Sequence, residues 1–202
     1  MLHFETIEPA TLGLLKQLLA LPELSGCRLV GGTALALQLG HRTSIDLDLF
    51  GNVTVAPEEL IDALSIIGTL ETRKNSGNIH LFSLNGIKVD IVNFPFPWRQ
   101  APITDEGLRI AGLEDIAAMK VTAAIGRGTK KDFLDIATLL QYYSLPEILS
   151  FYESKYPNSS LFMAIKSLGY FEDAEADVMP KMFSSLTWPQ AKDYIRKAIE
   201  QL

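Results

Sequence analysis

The sequence predicts an α+β fold in which a small mixed β-sheet with flanking helices is followed by a helical C-terminal region. Strand-like alternation and turn signals are concentrated between residues 27 and 92. Beyond Leu113, apolar residues recur mainly at helical spacing. Of the 202 residues, 48% are hydrophobic and 21% are charged, which is typical of a globular chain with a buried core. We therefore expect a core over residues 1–100 and a helical region over residues 101–202.

The first elements are a helix, a short strand and a second helix. Leucines recur at helical spacing from Pro9 to Leu21, which predicts an amphipathic packing helix. The apolar segment from Cys27 to Val30 predicts a strand, and the Ala/Leu-rich run from Ala34 to Leu39 predicts a helix. Between them lies Gly31-Gly32-Thr33, so the order is strand, glycine turn and helix N-terminus.

The glycine turn predicts a site for phosphate. Without β-carbons at Gly31 and Gly32, a phosphate can approach the backbone, and the unpaired N–H groups at a helix start attract anions. The hydroxyl of Thr33 adds a possible donor. The simpler interpretation is a tight turn with no ligand.

An aspartate pair follows on the next strand-like segment. Ile45, Leu47 and Leu49 alternate with Asp46 and Asp48, which is the period of a strand with one buried face. The two carboxylates are then about 6.5 to 7 Å apart at their roots and repel each other unless a cation lies between them. Oxygen ligands of this kind suit Mg²⁺ or Mn²⁺. The competing interpretation is two solvated residues on an exposed strand face.

A helix and a set of strands continue the predicted core. Pro57 to Ile67 reads as a helix, with proline in its first turn. Strands are predicted over 70–73, 79–84 and 87–92, and the Asn85-Gly86 pair suits a type I′ hairpin turn between the last two.

The strand from Ile87 to Val92 carries a second charged face. Its apolar residues share one side, while Lys88 and Asp90 share the other. If this strand lies near the strand of the aspartate pair, Asp90 becomes a third carboxylate at the same site. Three acids can hold two cations, one on a triphosphate and one beside an acceptor hydroxyl.

The second half of the chain reads as helices joined by loops. Residues 93–104 are rich in proline and aromatic residues and predict a loop that leaves the sheet. The predicted helices are Leu113–Ile125, Thr129–Tyr143, Pro146–Lys155, Ser159–Leu168 and Trp188–Leu202.

Several of these motifs resemble a known family. Gly32-Thr33, a spacer and then Asp46-Leu47-Asp48 resemble the first motif of the polymerase-β-like nucleotidyltransferases. Other strings are similar to the AbiEii/AbiGii toxin branch of that superfamily, namely His41-Arg42 with Ser44, Asp115 through Lys120, Arg127, and Lys131 through Asp135. The resemblance extends from about Arg28 to Tyr143.

The resemblance implies a fold, an activity and partners. The fold is a polymerase-β-like nucleotidyltransferase core followed by helices that complete the nucleotide cleft. The activity is transfer of an NMP from an NTP to an RNA acceptor, tRNA included, or to a protein, with Mg²⁺ or Mn²⁺ as cofactor and release of pyrophosphate. The chain would be the toxin-like half of a toxin–antitoxin or phage-defence pair, with a cognate antitoxin as a further partner.

The resemblance also assigns roles to residues of this chain. It places the metal ions on Asp46, Asp48 and Asp90. It places the nucleotide on the following set: Gly31, Gly32, Thr33, Arg42, Ser44, Lys88 and Lys120.

A further catalytic acid is expected at Asp132 or Asp135, and the sequence leaves that choice open. The two stand three residues apart, so either can reach a neighbouring lysine. Asp132 also fits a helix-capping pattern that begins at Thr129, and Lys120 has a plain alternative as a lysine that extends from a packed helix to solvent.

Composition excludes some classes of protein. A net charge of −6 argues against a protein that coats nucleic acid through its overall field. No apolar run is long enough to span a bilayer, no signal-peptide pattern begins the chain, and the single cysteine forms no internal disulfide, so we expect a cytoplasmic protein without a membrane partner. Two other functions remain open: a non-catalytic nucleotide- or partner-binding module, and a metal-dependent glycosyltransferase.

Overall fold

In the computed structural model, which describes residues 1–202, the chain forms two compact units. The first contains Met1–Leu39, Ser44–Phe96 and Ala101–Ala111. The second contains Gly40–Thr43, Pro97–Gln100 and Gly112–Leu202. The division of the chain into domains at residue 100 stays a prediction.

The first unit is built on one mixed sheet of seven strands. The strands are β1 (Gly26–Val30), β2 (Leu47–Asn52), β3 (Leu70–Ser76), β4 (Ile79–Leu84), β5 (Ile87–Asn93), β6 (Ile103–Asp105) and β7 (Leu108–Ile110). Their order across the sheet is β3-β4-β5-β2-β1-β7-β6. The β2–β5 and β1–β7 pairs are parallel, and the other neighbours are antiparallel.

The core of this unit lies against one face of the sheet. Leu29 of β1 is in register with Leu49 of β2, which is in register with Ile91 of β5, and all three are fully buried. Because side chains alternate along a strand, the residues directly before and after each of these three point to the opposite face of the sheet. The predicted face separation on β5 is confirmed.

Three α-helices belong to the same unit: α1 (Pro9–Ala20), α2 (Gly31–Leu39) and α3 (Pro57–Ile67). α1 contacts β7, α2 contacts β1 and β2, and α3 contacts β3. The predicted helices are confirmed, and α2 begins at the glycine turn itself, directly after β1.

The start of β2 differs from the prediction. Ile45 is 60% exposed and precedes the strand, whereas Leu47 and Leu49 are fully buried. The predicted burial of Ile45 with the other two is therefore wrong. The alternation of apolar and charged residues begins at Ile45, before the first paired residue of the strand. Only residues from Leu47 onward are paired with β1 or β5.

Two hairpin turns have the same backbone geometry. Asn85 and Gly86 have φ values of 53° and 79°, as a type I′ turn requires, so that prediction is confirmed. Glu106 and Gly107 repeat the pattern at 47° and 79° and join β6 to β7. The predicted loop over 93–104 is wrong at its end, because β6 begins at Ile103 and the chain rejoins the sheet.

The second unit is helical. Its α-helices are α4 (Leu113–Gly126), α5 (Lys130–Leu139), α6 (Leu145–Lys155), α7 (Leu161–Leu168) and α8 (Trp188–Glu200). α4 packs against α5, α6 and α7, and α5 packs against α8. The predicted helices are confirmed, although α5 ends at Leu139 and not at Tyr143. None of the helices combines the length and apolar character needed to cross a membrane.

Candidate active site

The β2–β5 pair brings two carboxylates side by side. Asp48 of β2 is in register with Asp90 of β5, so the two residues occupy neighbouring strands about 4.8 Å apart on the same face. Asp46 lies one residue before β2, and all three aspartates are partly exposed. The structure thus brings Asp90 beside the strand of the aspartate pair.

The glycine turn lies directly against Asp48. Gly31 has a φ of +70°, and a β-carbon built on it would stand 2.1 Å from Oδ2 of Asp48. Glycine is therefore needed here for two reasons: the backbone is left-handed, and the carboxylate fills the space a side chain would take. Gly32 follows as the second residue of α2 and is partly exposed.

Thr33 holds the segment that leads into β2. Its side chain is 1% exposed, and its hydroxyl donates a hydrogen bond to the main-chain carbonyl of Asp46. The same hydroxyl lies 2.9 Å from Oγ of Ser44. Both hydroxyls thereby fix the backbone before the aspartate pair, and the phosphate contacts expected of Thr33 and Ser44 stay predictions.

Lys88 supplies a positive charge on this face. Its Nζ lies 2.8 Å from Oδ2 of Asp90. Burial lowers the pKa of Lys88, but the bond to Asp90 and the charges of Asp90, Asp48 and Asp46 outweigh burial and raise that pKa above its ordinary value. One ammonium therefore interacts electrostatically with all three carboxylates.

The carboxylate oxygens suit a hard divalent cation. Oδ1 of Asp90 is buried and has no hydrogen-bond partner, so it retains a vacant acceptor position. Asp48 stands beside it, and oxygen-only donors of this kind are what Mg²⁺ and Mn²⁺ prefer. No three His, Cys, Asp or Glu side chains of the chain converge as a ready metal site. The donor chemistry of Asp48 and Asp90 nevertheless fits such an ion.

A second polar cluster lies inside the helical unit, around Lys120 of α4. Its Nζ is 2.6 Å from Oδ2 of Asp135 and 3.1 Å from Oδ1 of Asp132, and the side chain is only 4% exposed. Both acids belong to α5 and are fully buried. The two candidates left open by the sequence are therefore both partners of Lys120.

Asp135 is bound by two further side chains, His41 and Arg42. Nε and Nη2 of Arg42 lie 2.7 and 2.8 Å from its two oxygens, and Nε2 of His41 lies 2.8 Å from Oδ1. Burial raises the pKa of Asp135, but the charges of Lys120 and Arg42 and the bonds from His41 and Arg42 hold that pKa well below its ordinary value. Arg42 is 2% exposed, and its expected nucleotide contact stays a prediction.

Asp132 combines a helix cap with an ion pair. The backbone N–H of Thr129 donates to Oδ2 of Asp132 at 3.4 Å, which is the predicted capping contact at the start of α5, and Thr129 Oγ1 donates to the same oxygen at 2.6 Å. Nε and Nη2 of Arg127 lie 2.8 and 2.9 Å from the two oxygens of the same carboxylate. Burial raises the pKa of Asp132, and the bond from Arg127 and the charge of Lys120 lower it further than burial raises it. The capping interpretation therefore does not compete with a charged role.

Sequence reasoning missed the connection of His41 and Arg42 to Asp135. The residues are more than ninety positions apart, and no local pattern joins them. The available signal was indirect: an aspartate in an apolar helical stripe needs positive partners if it is buried.

Comparisons with known proteins agree with this fold. The chain is 33% identical, over 183 residues, to the uncharacterized protein aq_aa25 of Aquifex aeolicus (strain VF5), with 86% of each chain covered. Its fold is similar to that of a putative nucleotidyltransferase from Helicobacter pylori, with a TM-score of 0.60 at 17% identity and 96% and 95% of the two chains covered. It is also similar to the nucleotidyltransferase toxin MenT4 of Mycobacterium tuberculosis H37Rv, with a TM-score of 0.60 at 14% identity and 95% and 83% covered.

The match to a family model identifies the class of reaction. Residues 13–182 match the family described as "Nucleotidyl transferase AbiEii toxin, Type IV TA system", and this range includes every site residue discussed above. Nucleotidyltransferases of this type generally use divalent metal ions. The chain therefore belongs to the AbiEii nucleotidyltransferase toxin family and is a nucleotidyltransferase.

Proposed function

We propose that this protein transfers an NMP from an NTP to an RNA acceptor, with Mg²⁺ as its metal, as the toxin of a toxin–antitoxin pair. The observation that carries the proposal is the register of Asp48 beside Asp90, with Asp46 just before β2 and a single ammonium among the three acids. This is an anionic site of the chemistry that a cation-bound triphosphate needs.

The carboxylates of this chain would hold the metal. Asp46, Asp48 and Asp90 would provide the oxygens, and a divalent cation held there would offset part of the negative charge of the triphosphate and lower the pKa of the acceptor hydroxyl. The acceptor oxygen attacks the α-phosphorus in line, the bond to the β-phosphate oxygen breaks, and pyrophosphate leaves. The proton of the hydroxyl is released to solvent.

The phosphates would be bound by the glycine turn and by lysines. Gly31 and Gly32 lie beside Asp48 at the start of α2, where backbone N–H groups favour anions. Lys88 offers an ammonium on the same face as the acids. Lys120 is assigned to a phosphate through the family resemblance, and Asp132 and Asp135 hold its ammonium in place.

The acceptor and the partner follow from the family and from chemistry. RNA, including tRNA, presents ribose hydroxyls that match the nucleophile such a site activates. A protein hydroxyl is the other acceptor class, and the experiment below separates the two. The matched family is a toxin family of a type IV toxin–antitoxin system, so we propose a cognate antitoxin as partner.

The proposal is tested by following labelled nucleotide. Purified protein is incubated with Mg²⁺, each α-³²P-labelled NTP in turn, and either total cellular RNA or total cellular protein. We expect label on RNA with at least one NTP. Label on protein alone would mean that the acceptor is a protein and not RNA. Nucleotide binding without any transfer would overturn the proposal in favour of a binding module.

Matched variants establish that the site performs the transfer. Asp46→Ala with Asp48→Ala, and separately Asp90→Asn, should abolish labelling because each removes a metal-binding oxygen. Asp62→Asn is the control, since Asp62 is an exposed aspartate of α3 in the same unit. Equal labelling by the control and by Asp90→Asn would remove Asp90 from the mechanism.

A further inference from the structure

We propose that Lys88 is a built-in counter-cation of the carboxylate face, which a divalent metal displaces from Asp90 and which then binds nucleotide phosphate. This inference rests on the proposed function, because it concerns the same three acids. It adds an order of events: metal binding releases the lysine, and the released lysine completes the phosphate site.

The geometry places Lys88 in competition with a metal. Lys88 and Asp90 stand two residues apart on β5, so they share one face, and Nζ contacts Oδ2 of Asp90 at 2.8 Å. Asp48 is the in-register neighbour of Asp90 on that face. An ion held by both Asp48 and Asp90 would therefore compete with the ammonium of Lys88 for the carboxylate of Asp90.

The charges support the same conclusion. Lys88 is paired with Asp90, and the register of β2 beside β5 places Asp48 on the same face. Arg28 of β1 lies on the same face, because it is in register with Phe50, two residues from Asp48. Three acids therefore face two basic side chains, and the face keeps a net negative charge. A dication a few ångströms from an ammonium would be repelled by it, so the two cations cannot both lie at their best positions.

The side chain of Lys88 can move more freely than the carboxylate of Asp90. The Lys88 side chain is 37% exposed, and it extends on four rotatable bonds from a strand paired on both sides. The Asp90 side chain is 16% exposed, and its Oδ1 is buried without a hydrogen-bond partner. Lys88 can therefore turn toward solvent without disturbing β5, and its departure leaves both oxygens of Asp90 available to a metal.

The inference predicts effects of opposite sign from one substitution. Lys88→Met keeps the length of the side chain and removes its charge. Metal should then bind more tightly in the absence of nucleotide, because the competing cation is gone. Nucleotide should bind more weakly when metal is saturating, because the released ammonium is missing. A lysine that merely stabilises the fold would not produce both effects.

The experiment uses Mn²⁺ as the probe, with free Mn²⁺ measured by electron paramagnetic resonance at low ionic strength. We expect Lys88→Met to lower the Kd for Mn²⁺ by about tenfold relative to the unmodified protein. Lys88→Arg keeps the charge and should change the Kd little. Lys16→Met is the matched control, since Lys16 also forms a 2.8 Å ion pair, with Glu106, and is 40% exposed.

A second titration measures a non-hydrolysable NTP analogue at saturating Mn²⁺, and we expect Lys88→Met to weaken its binding. An unchanged or raised Kd for Mn²⁺ in Lys88→Met would overturn the inference, as would unchanged analogue binding. Its failure is distinguishable from failure of the proposed function, because neither readout requires transfer. Tighter Mn²⁺ binding together with weaker analogue binding in Lys88→Met would support the inference even if no acceptor were ever labelled.

Discussion

The glycine turn is the residue-scale feature that most constrains the site. Gly31 is left-handed, and the space beside it is filled by the carboxylate of Asp48. A single position therefore links the backbone turn to a side chain that we propose binds metal. Because of this contact, we expect replacement of Gly31 to affect metal binding more than folding.

We predict that Gly31→Ala weakens Mn²⁺ binding and lowers the free energy of unfolding by about 1–2 kcal/mol. The new β-carbon would push Oδ2 of Asp48 away, and the left-handed backbone adds the strain. Mn²⁺ titration and urea unfolding measure the two effects. Gly13→Ala in α1 is the control, because nothing lies within 4 Å of its β-carbon position. Unchanged Mn²⁺ affinity in Gly31→Ala would show that Asp48 adjusts freely.

At the scale of elements, buried ion pairs connect α4 to α5. Lys120 on α4 bonds to Asp132 and Asp135 on α5, and Asp135 also binds Arg42. Removing one partner of a buried pair leaves an uncompensated charge, which costs more than the pair itself contributes. Asp135, with three partners, is the centre of this cluster.

We predict that Asp135→Asn lowers the free energy of unfolding by about 3–5 kcal/mol at neutral pH. The pKa of Asp135 is depressed in the folded protein, so its contribution is fully present above the unfolded-state value of 3.8 and is lost as pH falls below it. Urea unfolding between pH 7 and pH 3 should therefore show a smaller loss of stability with acid in the variant. Asp193→Asn, in an exposed pair with Lys197, should behave like the unmodified protein.

The β6–β7 hairpin shows how an element can be missed. Leu108 and Ile110 are buried, but each strand has only three residues, which is too short for periodicity to be distinctive. The turn at Glu106-Gly107 carries the better signal, because glycine suits a positive φ. The position of β7 in the sheet is determined by its pairing with β1, which is distant in sequence.

At the scale of the whole molecule, the one cysteine reports on unfolding. Cys27 lies on β1 within the core and is 1% exposed. Burial raises the pKa of its thiol to about 11, so the reactive thiolate is scarce in the folded protein near neutral pH.

We predict that Cys27 resists alkylation by iodoacetamide at pH 8 until the sheet unfolds. Mass spectrometry across a urea series should give a labelling midpoint equal to that of circular dichroism. Lys74→Cys adds an exposed thiol on β3 and should be labelled without denaturant, which verifies the reagent. Rapid labelling of Cys27 in native buffer would mean that the β1 region opens locally.

The sequence by itself determined most of the local structure and the chemical class of the site. The helices and the Asn85-Gly86 turn follow from periodicity and turn residues, and these signals act over a few neighbouring positions. The aspartate pair and the Lys88–Asp90 face were likewise local patterns of period two. Family resemblance then supplied the reaction class, nucleotidyl transfer, which the family match confirms.

The tertiary structure alone decided which distant residues meet. Only the parallel pairing of β2 with β5 puts Asp48 beside Asp90, and only the packing of α4 on α5 gives Lys120 both Asp132 and Asp135. Strand register and the partners of buried charges depend on contacts between segments separated by tens of residues. A local pattern shows that a buried acid needs a counter-charge, but the folded chain determines which residue provides it.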